Sequence, residues 1–216
     1  MTERAERAER AERAERTTVI LVDDEHLIRS ALATMLSLEE DLDVVGEASS
    51  CAEGEELARR LQPQVALLDL QMPDGDGLEL AGRIAAVSPA TRVLVVTSHA
   101  RPGYLKRALA EGVLGFLPKT AAAGELAAAV RTVAAGRRAI DPERAAETIS
   151  SGDSPLTPRE ADVLEYAADG APVDQIARRA HLAEGTVRNY LSSAQAKLQA
   201  ANRHEAAAIA RRHGWI

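Results

Sequence analysis

The sequence predicts two domains of different class, an α/β domain built on a doubly wound parallel sheet and then an all-α domain. Three observations carry that expectation. Between Thr17 and residue 137, five short apolar runs alternate with stretches of helical periodicity. Carboxylates, a hydroxyl and a lysine stand at the carboxyl ends of those runs. From Leu156 onward every segment reads as helix.

The apolar runs are VILV (19–22), DVVGEA (43–48), VALLD (65–69), RVLVV (92–96) and GFLP (115–118). Helical patterns lie near 26–38, 52–62, 77–87, 101–111 and 121–135. Strands separated by helices of this length form βαβ units, hence a parallel sheet covered on both faces. Five units over 17–137 make a flavodoxin-like (βα)5 domain, whose ligands belong at the carboxyl ends of the strands. Residues 138–155 are expected to hold a short helix, then a Gly/Ser/Asp/Pro stretch that serves as linker.

Residues 1–16 are a charged tail built on a Glu-Arg-Ala repeat. Each Glu from Glu3 to Glu12 has an Arg four residues later, the favourable order for i,i+4 helical pairs, at about 0.2–0.5 kcal/mol each. With no large apolar stripe, this tail is expected to be solvated and partly helical.

Composition narrows the class. Hydrophobic residues make up 46% of the chain but aromatics only 2%, so the cores are expected to pack small aliphatic side chains. No apolar run reaches the roughly 18 residues of a membrane span, and the charged N-terminus is not a secretory signal. A cytoplasmic protein with no membrane partner is expected. Cys51 is the only cysteine, which excludes an internal disulfide and a zinc site made of several thiolates; it reads as a small helical residue. The net charge of −7 is uneven: residues 17–140 carry 12 basic and 17 acidic groups, whereas residues 156–216 carry eight basic and seven acidic. An acidic module followed by a locally basic one is a reason to look for DNA binding at the C-terminal end.

The strand ends carry the chemistry. Asp23 and Asp24 follow the first strand, Asp69 ends the third, Thr97 follows the fourth and Lys119 the fifth. A parallel sheet brings these ends to one edge. Three carboxylates there repel one another unless a cation neutralises them, and hard oxygen ligands suit Mg²⁺. A carboxylate can also act as a nucleophile and form an aspartyl phosphate. Lys119 would then pair with phosphoryl oxygens, and Thr97 would donate to one. His99 reads as a loop residue near this pocket.

In the C-terminal segment, Thr157, Pro158 and Glu160 form a capping box with proline at the first helical position. Val163, Leu164 and Ala167 give that helix an apolar face, and Gly170 ends it. PVDQIARRA forms a second helix starting at Pro172, HLAEG a turn, TVRNYLSSAQAKLQ a third helix, and RHEAAAIARRHGW a fourth after Asn202. Two short helices joined by a tight turn fit a helix-turn-helix, although periodicity alone also allows another small helical bundle.

The motifs VILVDDEHLIR, VALLDLQMPDGDGLEL, VLVVTSHA and GFLPK resemble a response-regulator receiver domain over 17–137. LTPREADVL, IARRAHLAEGTVRNYL and NRHEA resemble the LuxR-type helix-turn-helix domain over 156–216. Together they resemble the NarL/FixJ family of two-component response regulators, with EGTVRNYL and NRHEAAAIARRHGWI most like its DesR subgroup. The resemblance implies that Asp69 accepts a phosphoryl group from a sensor histidine kinase. It implies that Asp24, Asp69 and the backbone carbonyl of Gln71 ligate Mg²⁺, with Asp23 acting mainly through water, that Thr97 and Lys119 contact the phosphoryl group, and that Phe116 is a switch aromatic turning inward on activation. It also implies DNA contacts from Thr186, Arg188, Asn189, Ser192 and Lys197, with Arg188 and Asn189 able to read bases and Thr186 and Lys197 at phosphate-contacting positions. Many relatives carry Lys or His where this chain has Ser192 and Ser193, a departure that removes charge from this face. Activation would produce a homodimer binding double-stranded promoter DNA with paired half-sites. Three rivals stand beside this reading. A phosphohydrolase would need a second acid/base carboxylate, which Gln71 does not supply. A phosphorylation-independent DNA-binding dimer and a protein-interaction module are the others.

Overall fold

The computed structural model describes residues 16–98, 102–141 and 154–216. The repeat before Arg16, His99 and residues 142–153 of the expected linker lie outside these. The chain divides into two compact units, one holding the sheet and ending at Ile140, the other holding residues 141–216 with 101–107.

In chain order, residues 17–140 alternate β1 (Thr17–Val22), α1 (His26–Ser37), β2 (Leu42–Ala48), α2 (Cys51–Leu61), β3 (Val65–Leu68), α3 (Gly77–Val87), β4 (Arg92–Thr97), α4 (Pro102–Ala110), β5 (Gly115–Pro118), α5 (Ala123–Ala134) and β6 (Ala139–Ile140). All pairings in the sheet are parallel, in the order β2-β1-β3-β4-β5-β6. The central strand β3 is buried along its whole length, as a strand covered on both faces must be. Side chains alternate across the pleat. Val19, Leu21, Leu67, Leu94 and Val96 pack on one side with Leu126, Val130 and Val133 of α5. On the other side a Cβ added to Gly54 of α2 would come within 2.9 Å of Val22 and 3.2 Å of Leu80.

Two features depart from the expected (βα)5 plan. Ala139 and Ile140, expected in the linker, form a sixth parallel strand paired with Gly115 and Phe116 of β5. A short antiparallel hairpin, Gln71–Met72 with Gly75–Asp76, follows β3.

The second unit contains α6 (Pro158–Ala168), α7 (Val173–Ala180), α8 (Glu184–Leu198) and α9 (Arg203–Arg212). Thr157 caps α6 with both hydrogen bonds of the capping box and Pro158 at its start. Asn202 caps α9 by accepting from the His204 and Glu205 backbone. Pro172 is the cap of α7 rather than its first helical residue. The turn before α8 is shorter than expected: His181 closes α7 in the left-handed region at φ 53°, and α8 has begun by Glu184, so Gly185 lies inside the helix instead of making the turn. Val163, Leu164, Ala167, Ile176, Val187, Leu191, Ala194, Ala206 and Ala210 form the core. Burying one leucine or isoleucine there contributes roughly 1.5–3 kcal/mol.

Candidate phosphoacceptor pocket and nucleic-acid interface

Sheet register brings the expected pocket residues together. The Asp23 backbone N–H donates to Ala48 and that of Asp69 to Val22, so each carboxylate emerges at a strand end. The Lys119 backbone N–H donates to the Thr97 carbonyl at 2.9 Å, which fixes the β5 end beside β4. One carboxylate oxygen from each of Asp23, Asp24 and Asp69 lies within 4.8 Å of the others. Asp23 and Asp69 are buried, and the Lys119 side chain is 6% exposed. Its ammonium donates to Asp23 at 2.7 Å and to Asp69 at 3.0 Å. Thr97 is fully buried at the end of β4.

The electrostatics are those of a site short of positive charge. Burial pushes the Asp69 carboxyl up to about 6, Lys119 opposing and Asp23 reinforcing the rise. Burial also raises Asp23 despite its bond to Lys119. For Lys119 burial works against the charge, but the surrounding carboxylates outweigh it and hold the ammonium above its usual range. Three aspartates against one lysine leave excess negative charge on hard oxygen donors, which fits a divalent cation such as Mg²⁺.

Three neighbours were not legible in the sequence. Glu25 gives Lys119 a further acceptor at 2.8 Å. The Arg29 guanidinium donates to the Asp23 carbonyl and faces Glu47 at 3.4 Å, tying the β1 end to β2. Gly77 supports the pocket from below, its N–H donating to the Leu70 carbonyl at 2.8 Å. Its lack of a side chain matters, because a Cβ there would lie 1.9 Å from the Asp69 carbonyl oxygen.

Phe116 is buried at 2% exposure in β5. Gln71 opens the short hairpin directly after the pocket. Cys51 is buried as the first residue of α2, and burial together with the nearby Asp74 pushes its thiol up to about 11, which keeps it protonated and inert.

On α8 the expected DNA contacts fall into two groups. Arg188, Asn189 and Ser192 are exposed, and Thr186 is half-buried. The Arg188 guanidinium pairs with Glu184 at 2.6 Å along the helix, with 60% of its side chain still in solvent. Lys197 is held elsewhere: its ammonium donates to the buried Glu160 at 2.7 Å.

A parallel sheet with a carboxylate cluster and a lysine at its strand ends, in one chain with a four-helix helix-turn-helix unit, defines a DNA-binding response regulator. Residues 19–131 match the response regulator receiver domain, and residues 154–210 match the bacterial regulatory proteins of the luxR family. The transcriptional regulatory protein DesR of Bacillus subtilis is 37% identical over 92% of this chain and 98% of its own. The nitrate/nitrite response regulator protein NarL of Escherichia coli K12 is 34% identical over 88% of this chain and 93% of its own. Among solved structures, the two-component response regulator RcsB in a complex with DNA and two RcsB dimers bound to two parallel DNAs are each 26% identical over 91% of this chain and 98% of their own, with a TM-score of 0.58. The chain belongs to the NarL/FixJ family of two-component response regulators. The receiver implies a histidine kinase partner, and the luxR-type domain binds DNA. Among the described residues no helix is long and apolar enough to cross a membrane.

Proposed function

We propose that this protein is a cytoplasmic transcriptional regulator switched on by phosphorylation of Asp69. The observation that carries the reading is the buried Asp69 carboxylate, within 3.0 Å of Lys119 and clustered with Asp23 and Asp24. A carboxylate oxygen of Asp69 attacks the phosphorus of the kinase's phosphohistidine. The P–N bond breaks, the histidine nitrogen keeps the electron pair, and an acyl phosphate forms. Asp24, Asp69 and the Gln71 carbonyl would hold Mg²⁺, with Asp23 acting through water; the ion supplies neutralising charge for the phosphoryl oxygens. Lys119 transfers its bonds from the free carboxylates to the phosphoryl group, and the Thr97 hydroxyl donates to it.

The aspartyl phosphate then favours a homodimer. Two recognition helices one DNA turn apart, about 34 Å, read paired half-sites in double-stranded promoter DNA. Pairing two weak sites raises affinity through effective concentration. Sedimentation velocity tests the coupling. Acetyl phosphate with Mg²⁺ is expected to convert monomer to dimer; an unchanged sedimentation coefficient in fully phosphorylated protein would contradict it.

Within α8, Arg188, Asn189 and Ser192 face the bases, and Thr186 the backbone. Arg188 must leave Glu184 or share with it, so its contribution is expected at base readout rather than bulk charge. Arg188→Ala is expected to cost roughly 1–3 kcal/mol on an operator selected from random sequence and to relax preference at one base pair per half-site. Equal losses on operator and random DNA, with preference intact, would remove Arg188 from the readout.

A further inference from the structure

Glu160 stands out among the described residues outside the pocket as a buried carboxylate with bonds to two elements. It is 4% exposed and sits three residues after the cap of α6. One oxygen accepts from the Ser193 hydroxyl at 2.6 Å. The other accepts from the Thr157 backbone N–H at 2.6 Å and from the Lys197 ammonium at 2.7 Å. Ser193 and Lys197 stand one turn apart in the C-terminal half of α8, so one side chain grips the recognition helix at two points.

The capping box needs only the Thr157 bond; the bonds to α8 are additional. Burial alone would raise this carboxyl, but the bonds from Lys197, Ser193 and Thr157 outweigh it and hold it at about 2. The carboxylate is therefore ionised at neutral pH and balances the Lys197 charge. Lys197 is one of only five basic residues after position 187, so neutralising it removes a substantial share of the charge that DNA would meet.

We infer that Glu160 is a positioning residue for DNA binding: it fastens the recognition helix to the start of α6 through Ser193 and Lys197, and it withdraws the Lys197 charge from the DNA phosphates. This rests on the reading of α8 as the DNA-contacting helix. Lys197 then acts through the anchor rather than as a free phosphate contact, which revises the role its position implied in the sequence.

The test is the salt dependence of binding by the full-length protein to a fluorescein-labelled random-sequence duplex. Each neutralised phosphate contributes about 0.9 to the slope of log K against log salt. Lys197→Met is expected to leave the slope unchanged. Glu160→Gln frees the ammonium and is expected to steepen the slope by about 0.9 per monomer, an increase that disappears in the double variant. A slope that falls by about 0.9 in Lys197→Met alone would overturn the inference, because Lys197 would already be neutralising a phosphate. An unchanged slope in folded Glu160→Gln would overturn it too. Should Glu160→Gln fail to fold, the Lys197→Met result decides. Wild-type binding with no salt dependence would instead break the reading of α8 as a DNA contact.

Discussion

Asp69→Asn is expected to abolish labelling by acetyl phosphate and Mg²⁺, because an amide oxygen is too weak a nucleophile to form the acyl phosphate. The same variant is expected to stabilise the metal-free receiver. Asp69 titrates near 6 in the folded protein against an ordinary value of 3.8. A raised folded value means that the stability is complete below about pH 4 and is lost as pH rises through 6. Removing the carboxylate therefore gains up to about 3 kcal/mol at neutral pH and close to nothing at pH 4. Lys119 keeps Asp23 and Glu25 as partners, so the ammonium is not stranded. Hydroxylamine-labile label on the asparagine variant, or lower stability at pH 7, would contradict this assignment.

Gly77→Ala is expected to damage fold and chemistry together. The added Cβ would lie 1.9 Å from the Asp69 carbonyl oxygen, 2.9 Å from its carbonyl carbon and 3.1 Å from the Leu70 Cα. All three are backbone atoms, so no side-chain rotation relieves the clash. Overpacking of this kind costs roughly 1–3 kcal/mol, and more where backbone must move. The displaced residue is the proposed phosphoacceptor. A shift of about 1 Å in a reacting group can cost on the order of a hundredfold in rate. Denaturant unfolding and the initial rate of acetyl phosphate labelling measure the two losses. A variant with both within twofold of wild type would show that the close approach does not constrain Asp69.

The sequence pattern was enough to place the sheet and the pocket, since both depend on short-range signals. Alternating apolar runs locate strands to within a residue or two, and residues at strand ends converge because the strands are parallel. What stayed hidden depends on contacts between distant segments or on elements too short to show a period. Ala139 and Ile140 form a strand of two residues next to Arg137 and Arg138, with no alternation to read. Thr157 and Glu160 announced a capping box, yet nothing near them points to Ser193 and Lys197, 33 and 37 residues further on. The pairs Glu25–Lys119 and Arg29–Glu47 exist only because β1, β2 and β5 end at the same edge. The turn before α8 is shorter than the segment HLAEG because His181 already adopts the left-handed conformation, at an energetic cost that a glycine would avoid.

Control of DNA binding by the state of Asp69 is expected to show in a mobility-shift titration. Wild-type protein and Asp69→Asn are each titrated against a selected operator with two half-sites, with Mg²⁺, before and after acetyl phosphate. The expected result is tighter, cooperative binding by phosphorylated wild type and a single weaker curve for Asp69→Asn under both conditions. Superimposable curves for phosphorylated and unphosphorylated wild type, with phosphorylation verified in the same samples, would rule out control by Asp69 and leave a DNA-binding dimer that does not depend on phosphate.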